Sequence, residues 1–186
     1  MSKAAMLSIR PKWCEKIASG KKTVEVRKTK PKLKPPFKCY IYCTKDKNNH
    51  FWTGKRYSYA DDHSHNAFDK IGSGKIIGEF ICNQIYELAP LNHAPDDVEQ
   101  QACLTREEIV WYLKGVGYGW HISDLKIYDK PKELRSFWKA DKCPYATESG
   151  CTYKYHCFRA GQTQRCGETL TRPPQSWCYV EVMQDG

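Results

Sequence analysis

The apolar residues of this 186-residue chain fall in short runs separated by Gly- and Pro-containing breaks, and this pattern favours a fold built mainly of strands. Runs rich in β-branched and aromatic residues favour strands because those side chains pack well on a pleated surface. Thr23–Arg27 is a clear case, since Val24 and Val26 alternate with polar residues, which predicts a half-buried strand. We predict strands, in chain order, over Ala4–Ile9, Thr23–Arg27, Lys38–Thr44, Lys75–Leu88 with a kink at Gly78, Trp120–Tyr128 and Trp177–Met183.

Two further stretches have helical character. Pro11 suits the first turn of a helix and Gly20 suits its end, which predicts a helix over residues 11–19. Thr105 is a suitable N-cap for a second helix, Arg106–Lys114. In that helix we expect the following side chains to pack in the core: Ile109, Trp111, Tyr112 and Leu113. A short helical turn is predicted near the end of the fold, over Pro131–Trp138.

Short, mostly antiparallel strands with flanking helices predict an α+β fold, a small β-barrel decorated by helices. We expect one domain over residues 1–186, with a polar insertion at about 45–73 and a Cys-rich insertion at about 139–170. No apolar run approaches the ~20 residues that span a bilayer, and the N-terminus does not resemble a signal peptide. These features predict a cytoplasmic protein, which makes no contact with membranes and whose thiols stay reduced.

The positive charge of the chain is concentrated near its N-terminus. The formal net charge is +9, whereas the segment Met1–Lys38 alone has twelve Lys or Arg and two Glu, a balance of +10 that leaves the rest at −1. Such a segment attracts polyanions, because each phosphate contact releases condensed counterions. A solvated Lys-rich face that only keeps the protein soluble is an equally good explanation of the charge by itself.

Within the basic segment, Gly20–Arg27 (GKKTVEVR) has the most specific pattern. It places Lys21 and Lys22 at a turn and then Glu25 and Arg27 on one face of a strand. Lysine offers a point charge to phosphate and arginine a planar fork, while the carboxylate can accept a proton from a base or act as a general base. The alternative is a surface strand on which Glu25 and Arg27 only pair with each other.

Four of the ten cysteines fall in one stretch that is poor in aliphatic residues. Because such a stretch cannot form its own core, a structural zinc ion would stabilise it, with four thiolates as ligands: Cys143, Cys151, Cys157 and Cys166. His156 or Cys178 can replace one of them. Their spacings lack the CxxC pairs of typical zinc sites, so free thiols remain an alternative. The other cysteines lie mostly in predicted strands and helices, where small buried thiols are normal.

Several blocks of this sequence together resemble the ASCH domain, a family with the PUA-like barrel. These blocks are SIRPKWCEKIASGKKTVEVRK, GKIIGEFIC, HISDLKIYDKPKEL and RPPQSWCYVEV, the last being similar to bacterial and phage-associated members. The family pattern GxKxxExR is met by Gly20, Lys22, Glu25 and Arg27. The resemblance implies a cleft for RNA or a modified nucleotide beside the first helix. It also implies a second wall from Gln175, Ser176 and Trp177, where an indole can stack on a base. Without the resemblance, Trp177 is better explained as a core residue, because tryptophan is usually mostly buried.

Enzymatic activity is implied only in part. Some ASCH proteins hydrolyse N4-acylated cytidines with a Lys, a Thr and a Glu, and others are ribonucleases. Lys22 matches the catalytic lysine, but Glu25 stands where that branch has its threonine, and the glutamate aligns near Gln100, with Glu99 adjacent. Lys22 and Glu25 are therefore candidate catalytic residues. The main function that the resemblance implies is binding, and catalysis is the alternative. A third reading is an interaction protein whose basic strand docks on an acidic partner.

Overall fold

The computed structural model describes residues 3–45, 72–88, 94–140 and 169–183, and the backbone of two short paired strands, Ala146–Thr147 and Gly150–Cys151. Most of the two predicted insertions lies outside these residues, as do the side chains of Cys143, Cys151, Cys157 and Cys166. Within the described ranges no cluster of three or more His, Cys, Asp or Glu side chains has a geometry that could hold a metal ion. The zinc site in the Cys-rich insertion therefore stays a prediction. No helix of the described part is long and apolar enough to cross a membrane.

The described chain forms a curled, six-stranded half-barrel with three helices. In chain order its elements are β1 (Lys3–Ile9), α1 (Pro11–Ala18), β2 (Val24–Arg27), β3 (Phe37–Cys43), β4 (Ile76–Glu87), α2 (Val98–Ala102), α3 (Arg106–Leu113), β5 (Tyr118–Lys132), the short strands β6 (Ala146–Thr147) and β7 (Gly150–Cys151), and β8 (Trp177–Glu181). The sheet has the order β2-β5-β4-β3-β1-β8. Only the β1 and β3 pair is parallel, so the expectation of mostly antiparallel strands is confirmed.

The predicted strands and both predicted helices are present, and the differences lie at their ends. β5 continues to Lys132, beyond the predicted end at Tyr128, because its last residues still pair with β4 at Ile76. The predicted turn over Pro131–Trp138 is correspondingly reduced to one 3₁₀ turn, Leu134–Ser136. The helix α2 was not predicted, since five residues with two apolar positions carry no detectable helical period.

Two apolar clusters cover the two faces of β1. Ala5, Leu7 and Ile9 face the barrel interior, where α1 adds Cys14 and Ile17. On the other face, Ala4 and Met6 belong to a second cluster that contains Tyr40 and Phe137. The cysteines predicted to be buried in strands and helices are buried at positions 14, 39, 43 and 82. β1 is therefore packed on both faces up to Ile9, directly before α1.

Gly78 lies at the predicted kink of β4, and a shift of register between β4 and β5 begins there. A Cβ atom added at Gly78 would lie 2.5 Å from the backbone oxygen of Lys126, which cannot move away as a flexible side chain could. We expect Gly78→Ala to lower the free energy of unfolding by about 1–3 kcal/mol, as other overpacked positions do. Urea denaturation measures this, with the exposed Gln84→Ala on the same strand as control. Equal stability of the Gly78 variant and the wild type would contradict the close approach.

Candidate functional site

The four residues of β2 are all buried, so the expectation of a half-buried strand is wrong. Val24 and Val26 face apolar neighbours as predicted, but the polar face is covered as well. The chain enters β2 through a turn at Gly20, whose φ of +73° suits glycine. Burial of the polar face also contradicts the surface-strand alternative, and it leaves β2 without an exposed basic face for an acidic partner.

Glu25 lies between two cations on this buried face. Its Oε2 is 3.4 Å from Nζ of Lys22, and its Oε1 is 3.0 Å from Nη2 of Arg27. The three side chains are between 2% and 9% exposed, so water screens their interaction little. One carboxylate thus neutralises one of two buried positive charges and leaves a local excess of one.

Arg27 joins three segments that are distant in sequence. Its Nη2 donates to the backbone oxygen of Ser8 at 2.8 Å, and its Nη1 donates to the backbone oxygen and Oγ of Ser176 at 3.1 and 3.3 Å. Ser8 Oγ in turn donates to the backbone oxygen of Pro174 at 2.6 Å. Nε of Arg27 is buried and has no partner among the described residues. The guanidinium therefore connects β1, β2 and the segment before β8 through its Nη1 and Nη2 atoms.

Lys22 is held at the end of α2. Its Nζ donates to the backbone oxygen of Ala102 at 2.7 Å, one of the carbonyls that a helix leaves without an internal partner. The ammonium also lies 5.1 Å from the ring centroid of Trp13. Burial lowers the pKa of Lys22, and the charge and hydrogen bond of Glu25 oppose that shift. Lys22 therefore loses its proton more easily than an exposed lysine.

These side chains form part of the wall of a cleft of about 1260 Å³. Six Lys or Arg and four Glu of the described residues line it, which is a mixed charge with a modest positive excess. The cationic residues are Arg10, Lys12, Lys22, Arg27, Lys45 and Arg135; the acidic ones are Glu25, Glu107, Glu108 and Glu133; and the aromatic ones are Trp13, Tyr42, Trp111 and Tyr112. The cleft thus offers buried charges in its wall together with aromatic surfaces and further cations.

The predicted site residues divide into two sets. Lys22, Glu25, Arg27 and Gln175 line the cleft, and Ser176 lies behind Arg27 as its acceptor. Lys21 is exposed and is absent from the lining.

Trp177 lies outside the lining too. Its ring packs 5.7 Å from that of Trp120, between centroids, and its Nε1 donates to Oγ1 of Thr29 at 2.9 Å. Neither Glu99 nor Gln100 lines the cleft, and the carboxylate of Glu99 instead accepts a hydrogen bond from the backbone nitrogen of Arg106. The structure thus brings together the core of the GxKxxExR pattern but not the glutamate that the hydrolase branch requires.

The aromatic residues of α3 are cleft residues that the sequence reasoning placed in the core. Trp111 is 75% exposed and Tyr112 39% exposed, so their predicted core packing is wrong. Ile109 and Leu113, four residues apart, fill the apolar side of α3 instead. The capping box at Thr105 fixes where the helix begins, and from that register the outward position of Trp111 was deducible.

Comparisons with known proteins address the family and the fold of this chain. The family model of the ASCH domain matches residues 7–114, over half of the chain. The crystal structure of a serine-to-alanine variant of the ASCH protein from Zymomonas mobilis is similar, with a TM-score of 0.53 and 18% sequence identity over 96% of this chain and 88% of that one. The crystal structure of ASCH from Zymomonas mobilis has a TM-score of 0.47 and 19% identity over 70% of this chain and 73% of that one.

A search of curated proteins found no match. At such low identity the structural likeness shows the fold alone, and it confirms the predicted α+β fold of the PUA-like barrel type, which in the described residues is a half-barrel. The family match covers the segment that carries Lys22, Glu25 and Arg27. The chain therefore belongs to the ASCH domain family.

Proposed function

We propose that this ASCH domain binds RNA or a modified nucleoside and receives one base in the cleft. The observation that carries the proposal is the buried group of Lys22, Glu25 and Arg27 in the cleft wall. Hydrogen bonds to charged groups are about twice as strong as neutral ones, and they gain further in a site with little water. The cleft therefore has a recognition centre that a polar heterocycle fits better than an apolar ligand does.

Each part of a nucleotide finds a complementary group in the cleft. Glu25, which lines the cleft, accepts from an exocyclic amino group of the base. Trp13 offers an aromatic face for stacking. Phosphates are bound by two exposed cations of the cleft, Arg10 and Lys12. Nζ of Lys12 lies 4.4 Å from the ring centroid of Trp13. This assignment gives the N-terminal charge excess a role beyond solubility.

The proposal predicts binding that weakens with salt through identified residues. Replacing Arg10 and Lys12 together with glutamine should make the negative slope of log K against log salt shallower by roughly 1.4, because each phosphate contact on a single strand contributes about −0.7 to it. Fluorescence anisotropy with a labelled single-stranded RNA measures the slope. The control Lys130→Gln removes an exposed charge from outside the cleft and should leave the slope almost unchanged.

One result would count against the function itself, and another only against the assigned phosphate contacts. One is the absence of salt-sensitive binding to single-stranded RNA and DNA and to nucleosides, N4-acetylcytidine included. The other is an unchanged slope in the double variant, which would remove the assignment of Arg10 and Lys12 to phosphates.

A second candidate is hydrolysis of the amide of an N4-acylated cytidine, and the lowered pKa of Lys22 favours it. A neutral Lys22 amine takes a proton from water, whose oxygen then attacks the acyl carbon. The bond from carbon to N4 breaks, and N4 receives the proton, which releases cytidine and a carboxylic acid. Glu25 keeps the amine in place. A ribonuclease acting on the same ligand class is the remaining enzymatic alternative.

A further inference from the structure

The outer side of α3 has two aromatic residues next to the cleft. Trp111 is 75% exposed and Tyr112 39%, and both contribute to the cleft lining. A tryptophan with three quarters of its surface in water loses most of the stabilisation that its burial would supply. Stability of the fold therefore does not account for Trp111.

The helix is held without these two side chains. Ile109 and Leu113 pack with Val26 in a buried cluster. At the N-terminal end of the helix, the backbone nitrogen of Glu108 donates to Oγ1 of Thr105. The backbone nitrogen of Thr105 in turn donates to the carboxylate of Glu108. A helix anchored in this way presents Trp111 in a fixed place on the surface.

Cations accompany the aromatic surfaces. Nζ of Lys114 lies 5.7 Å from the ring centroid of Trp111, and Nζ of Lys28 lies 5.3 Å from that of Tyr112. Glu107 and Glu108 lie one helical turn before the two aromatic residues and also line the cleft, so the positive charge next to the aromatic pair comes from Lys114 and Lys28. A phosphate is therefore attracted toward Lys114 and Lys28. Proteins that bind single-stranded nucleic acid combine aromatic faces, on which bases stack, with cations that bind the backbone.

We propose that Trp111 and Tyr112 form a stacking surface for a nucleotide adjacent to the one in the cleft, so that the ligand is single-stranded RNA rather than a free nucleoside. The inference rests on the proposed function, because it extends the same cleft outward. Single-stranded RNA fits since its bases are free to stack, whereas those of a duplex are already stacked within it.

Trp111→Ala tests this surface through two affinities. One is the affinity for a labelled single-stranded RNA of mixed sequence, and the other is the affinity for single nucleosides, namely N4-acetylcytidine and the four ribonucleosides. We expect about a tenfold loss of RNA affinity, in the range measured for one base stacked on an aromatic ring, with unchanged nucleoside affinity. Trp111→Phe should restore most of the RNA affinity. Val110→Ala is the matched control, since Val110 is 55% exposed on the same helix but lies outside the cleft lining.

The outcomes separate this inference from the function on which it rests. If the wild type binds nucleosides but not RNA, the stacking surface is rejected and the base-binding cleft stands. If Trp111→Ala leaves both affinities unchanged, or lowers both equally, the surface for an adjacent nucleotide is also rejected. Tighter binding of DNA than of RNA of the same sequence overturns the assignment to RNA. If no probe binds, the proposed function itself fails.

Discussion

Replacing Glu25 with glutamine should lower the free energy of unfolding by about 3–5 kcal/mol, the cost of leaving buried charges without a partner. The carboxylate is the counter-charge of both Lys22 and Arg27, at 3.4 and 3.0 Å. Glutamine has nearly the same shape, so the loss reports charge rather than a cavity. Urea denaturation near neutral pH measures the loss. Glu87→Gln, which removes the carboxylate of an exposed pair with Lys30, should change stability little.

The loss in the Glu25 variant should become smaller as the pH rises. Burial already lowers the pKa of Lys22, and Glu25 is the first of the groups that raise it, so the variant's Lys22 has a still lower pKa. At pH values between the lowered pKa of Lys22 in the folded variant and the ordinary pKa of lysine, the unfolded chain binds more protons than the folded one. Stability therefore increases with pH in this interval. A loss that is identical at neutral and alkaline pH would contradict the position of Lys22 beside Glu25.

The sequence predicted which residues share a face of β2 but not how deeply that face is buried. Alternation is local, so Val24 and Val26 could be assigned to the core from five residues. The cover over Glu25 and Arg27 comes from elsewhere, since Ser176, an acceptor of Arg27, is 149 positions away along the chain. No local pattern predicts such a contact. The family resemblance supplied the adjacency of the two segments. Of the wall that it implied, Gln175 lines the cleft and Trp177 does not, and Pro174 lines the cleft without having been predicted.

The opposite error occurred at α3, where the available local signals were sufficient. The cap at Thr105 and the four-residue spacing of Ile109 and Leu113 define the buried side of that helix. Trp111 falls on the other side, yet its size alone suggested core packing. Large aromatic residues occupy cores so often that composition outweighed helical geometry in the prediction. An aromatic residue that breaks the apolar period of its helix is thus a candidate for function.

For the hydrolytic candidate, Lys22→Ala should reduce kcat/KM for N4-acetylcytidine by about 10²–10⁴-fold, the usual contribution of a general base. The reactive form is the neutral amine, so wild-type kcat/KM should rise with pH through the lowered pKa of Lys22. Lys22→Arg is the informative companion because it keeps the charge but cannot lose its proton. It should be as inactive as the alanine variant if Lys22 is a base.

The same two variants distinguish catalysis from binding. A role of Lys22 in binding alone predicts no turnover by the wild type across a panel of acylated nucleosides, together with weaker nucleoside binding by Lys22→Ala. Lys22→Arg should weaken that binding as well, because a planar guanidinium does not reproduce the compact ammonium, which is 2% exposed and donates to the Ala102 oxygen. Turnover that survives in Lys22→Arg would reject proton transfer by Lys22. Circular dichroism of both variants provides the check that each is folded, since α2 and β2 meet at this lysine.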